Sequence, residues 1–202
     1  MPRSPRSLEP NALSHVTSRG NRGEPIFTDS ADFARFLAIL EQATVRFRWR
    51  CLAYCLMTNH YHLIVQTPEP NISQAMHHLN GGYARWFNRR HGYRGHLFQR
   101  RFHAAAIESD WHMLEACRYV VLNPVRAGLA RRPAEWEWSS YRATVGTAPK
   151  TCTLALDELL GFFGARRARE AFRAFVDDAV VVPRRNVPSE QGQVPGTRAW
   201  PD

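Results

Sequence analysis

The stretch Cys55-Leu-Met-Thr-Asn-His-Tyr-His-Leu-Ile-Val-Gln66 decides how this chain is read. Leu63-Ile-Val65 follows directly on His60-Tyr-His62, and Tyr54, Leu56 and Met57 stand just before. An apolar run rich in β-branched residues reads as a strand. Side chains alternate along a strand, so His60 and His62 share one face while Tyr61 and Leu63 point to the other, towards a core. Two imidazoles one residue apart on one face are a ready pair of metal ligands. Alone, the pair is read as easily as two packed or surface histidines, so the flanking sequence has to decide.

Working backwards, residues 50–57 form a second strand and Thr58-Asn59 has the residue types of a turn. Asp29 or Ser30 caps a helix over 30–47, whose Phe33, Phe36, Leu37 and Leu40 recur at helical spacing. Leu13-Ser-His-Val-Thr-Ser18 alternates as a first strand, and Arg19-Gly-Asn-Arg-Gly23 is a basic loop, either a phosphate contact or an ordinary turn. Working forwards, Ile72, Met76, Leu79, Tyr83, Trp86 and Phe87 define a helix over 72–90. Gly81-Gly82 inside it is an anomaly, answered by a bend or by the close approach of a backbone or ligand. A fourth strand spans 98–107, led in by Arg100-Arg101. A third helix starts at Asp110 and runs to Leu122, where Asn123-Pro124 stops it. On its wheel Tyr119 and Asn123 are neighbours, away from the stripe of Met113, Leu114, Cys117, Val120 and Val121.

The order β-α-β-β-α-β-α implies an α+β fold, a ferredoxin-like (RRM-like) antiparallel sheet with helices on one face and the third helix across or beside it. Residues 1–12 read as a flexible N-terminus and 13–145 as the catalytic domain. A small C-terminal helical appendage occupies 150–180, serving either DNA or the packing of the body. Residues 183–202 read as a disordered tail.

The 202 residues carry a net charge of +9, and Lys150 is the single lysine. An arginine excess points to a polyanion, nucleic acid first. The candidate DNA contacts are Arg19, Arg22, Arg85, Arg89, Arg90, Arg100 and Arg101. Cysteines at 51, 55, 117 and 152 form no Cys-x-x-Cys pair, which argues against a disulfide framework. No apolar run is long enough to cross a membrane, and the N-terminus lacks the apolar core of a secretory signal, so the expected location is the cytoplasm.

In this arrangement Asn123 can supply a third metal ligand beside His60 and His62, leaving coordination positions open for substrate, as catalytic sites do. Mg²⁺ or Mn²⁺ suits that mixed nitrogen and oxygen set. Tyr119, one turn before Asn123, is a candidate covalent nucleophile. Tyr83 is the rival, but it lies on an apolar stripe with Phe87 at i+4. A zinc site from Cys51, Cys55, His60 and His62 is a second alternative.

Four stretches then carry a resemblance: His15-Val-Thr-Ser-Arg-Gly-Asn21, Met57-Thr-Asn-His-Tyr-His-Leu63, Gly95-His-Leu-Phe-Gln-Arg100 and Arg118-Tyr-Val-Val-Leu-Asn-Pro-Val-Arg-Ala-Gly-Leu129. In this order they resemble the single-tyrosine, His-hydrophobic-His transposases of the IS200-like class, and within them the REP-associated tyrosine transposases. The resemblance covers residues 13 to about 142. It implies His60, His62 and Asn123 as ligands of a divalent metal and Tyr119 as nucleophile. It also implies a transesterification on hairpin-forming or palindromic single-stranded DNA through a 5′-phosphotyrosine. Monomer and homodimer are equally compatible with the sequence. A non-catalytic single-stranded nucleic-acid binder on the same fold is the competing reading.

Overall fold

The computed structural model describes residues 9–149, 154–164 and 166–180. The expected N-terminal segment falls largely outside the described residues, and the expected tail lies wholly outside them. Four strands, β1 (Ala12–Arg19), β2 (Arg50–Leu56), β3 (His60–Thr67) and β4 (His103–Ala106), form one antiparallel sheet in the order β2-β3-β1-β4. Around them lie α1 (Ser30–Phe47), α2 (Ile72–His91), α3 (Asp110–Arg126) and the short α4 (Tyr141–Thr144), followed by α5 (Leu156–Gly161) and α6 (Ala168–Asp178).

Alternation sorts the sheet into two faces. Val16, Leu56, Tyr61, Leu63 and Val65 pack with α1 and α2, around Phe36, Leu40, Leu79, Tyr83 and Phe87. Ala53, Cys55 and Ile64 pack on the other face with Met113, Cys117, Val120 and Val121 of α3. The α+β antiparallel fold is the expected one. Helix α3 takes the place across the sheet, so the helices divide between its two faces, with α1 and α2 on one and α3 on the other. The C-terminal appendage joins the α3 side, where Leu159, Phe172 and Val176 are fully buried in the same core. Arg169 donates to the carbonyls of Ala143 and Thr144, so the appendage is tied to the body of the fold.

Three boundaries move for physical reasons. Helix α3 is capped by Ser109, whose side chain accepts from the His112 amide, which leaves Asp110 in the first turn where its charge suits the helix dipole. Its C-terminus passes through Pro124 to Arg126 instead of stopping at Leu122. The ring removes one amide, while the Asn123 carboxamide donates to the Tyr119 carbonyl at 3.0 Å and the chain keeps its helical course. Strand β4 keeps only four residues of the expected ten. Residues 97–99 instead bond to the end of β1, with Asn21 N donating to Leu97 O and Gln99 N to Arg19 O.

The β2 edge is covered. Leu56 N donates to Trp138 O, Ser140 N to Tyr54 O and the Trp136 indole to Leu56 O. The segment around Trp136 thus shields an edge that would otherwise invite strand addition.

Candidate nuclease and strand-transfer site

The site is built where α3 crosses the middle of the sheet. In the β1–β3 register Arg19 faces His60, Thr17 faces His62 and His15 faces Ile64. Directly opposed residues of an antiparallel pair point to the same face, so His15, Thr17, Arg19, His60 and His62 all lie on the α3 side. His103 joins them from β4, opposite Thr17. Tyr119 descends from α3 onto this group. Its ring meets His62 edge-on at 5.8 Å between centroids and His15 at 6.0 Å. Arg126, two turns further along the helix, lays its guanidinium over the Tyr119 ring at 4.7 Å. Tyr119 and Asn123 therefore sit at the margin of the buried stripe of α3, with Tyr119 turned to the sheet.

Hydrogen bonds set the state of both histidines. Asn59 donates through Nδ2 to Gly23 O, which fixes its amide orientation, so its Oδ1 can only accept from His60 Nδ1 at 2.7 Å. The His60 proton is thus on Nδ1, and Nε2 carries a lone pair. His62 is 6% exposed and its Nδ1 lies 2.9 Å from His15 Nε2. Its Nε2 is buried with no hydrogen-bond partner among the described residues. Burial, with His15 and His60 adding, holds the His62 imidazole well below its ordinary pKa. Burial, with His103 and His112 adding, lowers His15 to about 4. Both rings are neutral at pH 7, as a metal ligand must be.

No three His, Cys, Asp or Glu side chains form a metal set among the described residues. An oxygen ligand of another type could come from Asn123, whose Nδ2 is used by the Tyr119 carbonyl and whose carboxamide oxygen remains an acceptor. The buried, unbonded Nε2 of His62 is the feature that fits a bound divalent ion.

The zinc alternative does not assemble. A β-bulge between Cys51 and Ala53 breaks the alternation, so Cys51, opposite Val65, joins the α1/α2 core, while Cys55, opposite His62, faces α3. Burial pushes the Cys51 thiol up to about 12, far from the thiolate zinc requires. The rival tyrosine is also settled. Tyr83 is fully buried and donates to Ile26 O at 2.5 Å on the far face of the sheet.

The arginines fall into three groups. Arg19, Arg22, Arg100 and Arg101 are exposed and gather at the His60 end of the sheet, where residues 97–99 run beside Arg19–Asn21. Arg85 and Arg89 line a groove on the opposite side, between α1 and α2, with Arg35 and with His78, whose Nε2 is also buried and unbonded. Arg90 leaves the candidate set, because its guanidinium is held by Asp29 at 2.7 Å and by Asp32. The basic loop is a tight structural turn as well: a Cβ on Gly20 would lie 2.1 Å from Glu24 O. His15 and Arg126 escaped the sequence reading as site residues. His15 had a signal, its place in the alternation of the first strand.

No helix among the described residues is long and apolar enough to cross a membrane. A solved structure of a REP-associated tyrosine transposase bound to a REP hairpin superposes with a TM-score of 0.62 at 18% identity, covering 77% of this chain and 92% of that one. A curated Haemophilus influenzae protein named as a REP-associated tyrosine transposase is 27% identical over 121 residues, which is 54% of this chain and 69% of the relative. The family model of IS200-like transposases matches residues 10–123, from the start of β1 through His60, His62 and Tyr119 to Asn123, so the chain belongs to the IS200-like transposase family.

Proposed function

We propose that this transposase cuts and rejoins hairpin-bearing single-stranded DNA with Tyr119 as its nucleophile. The observation that carries the reading is the edge-on contact of Tyr119 with His62, a buried histidine whose Nε2 has no partner. His60, His62 and Asn123 would hold a divalent cation, Mg²⁺ or Mn²⁺. When bound, that cation polarises the scissile phosphate and stabilises the leaving 3′ oxygen.

The chain's own residues do the rest. The Tyr119 oxygen forms a bond to phosphorus and gives up its proton, and the bond from phosphorus to the 3′ oxygen breaks. The released strand ends in a 3′-OH, and the other strand is held as a 5′-phosphotyrosine. A second 3′-OH then attacks, the bond to Tyr119 breaks and the phenol regains its proton. One phosphodiester is lost and one is made, so no external energy source is required. Arg126 over the Tyr119 ring orients the phenol and places positive charge near an incoming phosphate. Arg19, Arg22, Arg100 and Arg101 hold the strand on either side of His60 through charge, while Arg85 and Arg89 meet DNA that passes the helical face. The hairpin preference is supported by the similar transposase that was solved on a REP hairpin.

The test is a covalent-adduct assay. The protein is mixed with labelled hairpin-bearing single-stranded DNA and Mn²⁺ or Mg²⁺, denatured in detergent and run on a gel. A shifted band that needs the metal, His62 and Tyr119 is expected. Tight binding without metal and without any adduct would replace catalysis by a binding function.

A further inference from the structure

His15 is 2% exposed, lies on the site face and touches both Tyr119 and His62. Its Nε2 is 2.9 Å from His62 Nδ1, and the two rings stack at 5.1 Å between centroids and 28° between planes. One proton must lie between those nitrogens. If His15 donates it, the His62 proton sits on Nε2, a buried donor without an acceptor that has no lone pair to offer a cation. If His62 donates it, Nε2 is a bare lone pair facing the site. His60 already has the second arrangement, through Asn59.

We propose that His15 is a positioning residue for His62: its Nε2 accepts the His62 Nδ1 proton, fixing the tautomer and ring plane that leave His62 Nε2 open to a divalent cation. The two ligands are then held by one device with different parts, a turn carboxamide behind His60 and a first-strand imidazole behind His62. The second part binds β1 to the chemistry of β3, 47 residues away. Acceptors behind a metal-binding imidazole set its tautomer and raise its basicity, and their loss lowers metal affinity about 10–100-fold. The proposal rests on the reading of His62 as a ligand.

Two measurements test it. In metal-free protein, nitrogen-15 NMR of the histidine rings should show His62 protonated on Nδ1 in the wild type and on Nε2 to a large extent in His15→Phe, which keeps a ring but cannot accept. Calorimetric titration with Mn²⁺ should show His15→Phe binding about 10–100-fold more weakly, with His15→Gln, whose amide oxygen can accept, regaining part of the loss. A merely structural His15 would move the melting temperature of both variants without this split. Wild-type His62 found protonated on Nε2, or His15→Phe binding Mn²⁺ as tightly as the wild type, overturns the proposal. A wild type that binds no Mn²⁺ and forms no adduct overturns the functional reading beneath it. If His15→Phe does not fold, the wild-type spectrum and His15→Gln still decide.

Discussion

The two faces of the sheet are made by the same strands and treat their polar groups in opposite ways. Towards α1 and α2, the Tyr61 hydroxyl donates to Asn80 Oδ1 and Tyr83 to Ile26 O, both at 2.5 Å. The buried Asp32 carboxylate accepts from Thr28 twice, from Arg90 and from His91. Towards α3, His62 keeps one ring nitrogen without a partner beside His15 and His60, and His103 and His112 act in turn on His15. Between the sheet and α1/α2 these polar groups are paired, which serves stability, and the unbonded His78 Nε2 lies on the outer, groove side of the helices. Between the sheet and α3 one is left open directly under a tyrosine, which is where the proposed ligand would sit.

The sharpest way to break this contrast is to remove one hydroxyl from each face. Tyr119→Phe should abolish the phosphotyrosine adduct while the protein still unfolds in one cooperative urea transition. Tyr83→Phe should still form the adduct but lose about 1–3 kcal/mol, because the Ile26 carbonyl is left buried without its donor. Urea unfolding beside the gel assay reads both. An adduct that survives Tyr119→Phe and vanishes with Tyr83→Phe would reverse the assignment of the faces.

Asp32 carries the second comparison. Its burial opposes the charge, but hydrogen bonds from Thr28, His91 and Arg90 outweigh it and hold the carboxyl below its ordinary pKa. A depressed carboxyl pKa adds stability above the unfolded value near 4, and that stability is lost as pH falls through the folded value. Asp32→Asn should therefore cost about 1–3 kcal/mol at pH 7 by removing the carboxylate partner of His91 and one of the two that hold Arg90. It should also flatten the stability curve below pH 4, which denaturant midpoints across pH would show.

The α3 face should fail at a higher pH. His15, lowered to about 4, and His62, held well below its ordinary value, bind protons in the unfolded chain before they do in the folded one. Stability of the metal-free protein should thus fall from pH 6.5 towards 4, by about 3 kcal/mol for His15 alone. His103 and His112, which face His15, oppose a charge on it, and Arg126 lies over Tyr119. His15→Phe should remove about one proton of that dependence, leaving the Asp32 window untouched. Equal slopes in both proteins would place the acid sensitivity elsewhere.

What was legible in the sequence follows from what is local. Alternation over His60–Val65 separates the ligand face from the core face without knowledge of any partner strand, and helical spacing finds α1, α2 and α3. The contact of His15 with His62 depends on a register between strands 47 residues apart, which no local pattern carries. The bulge that turns Cys51 away from Cys55 is a single extra residue in β2, invisible to a period of two. Taking Asn123-Pro124 as a stop put Arg126 in a loop, when the continued helix brings it back over Tyr119.

The smallest effect concerns the glycine pair inside α2. Helix α2 runs unbroken from Ile72 to His91, so the pair does not end it. A Cβ on Gly82 would meet Ile39 Cγ2 at 3.6 Å, an ordinary contact, and one on Gly81 would meet only the flexible Arg85 guanidinium at 3.3 Å. The fold therefore does not require glycine at 82. Gly82→Ala should stabilise the protein by up to about 1 kcal/mol through helix propensity, read as a shift in the urea midpoint. Because Gly82 lines the arginine groove between α1 and α2, the same variant also separates the two faces. A stabilised protein with normal adduct yield but weaker hairpin binding would mean that the glycine makes room for DNA on the helical face. Unchanged hairpin binding would confine DNA to the α3 side.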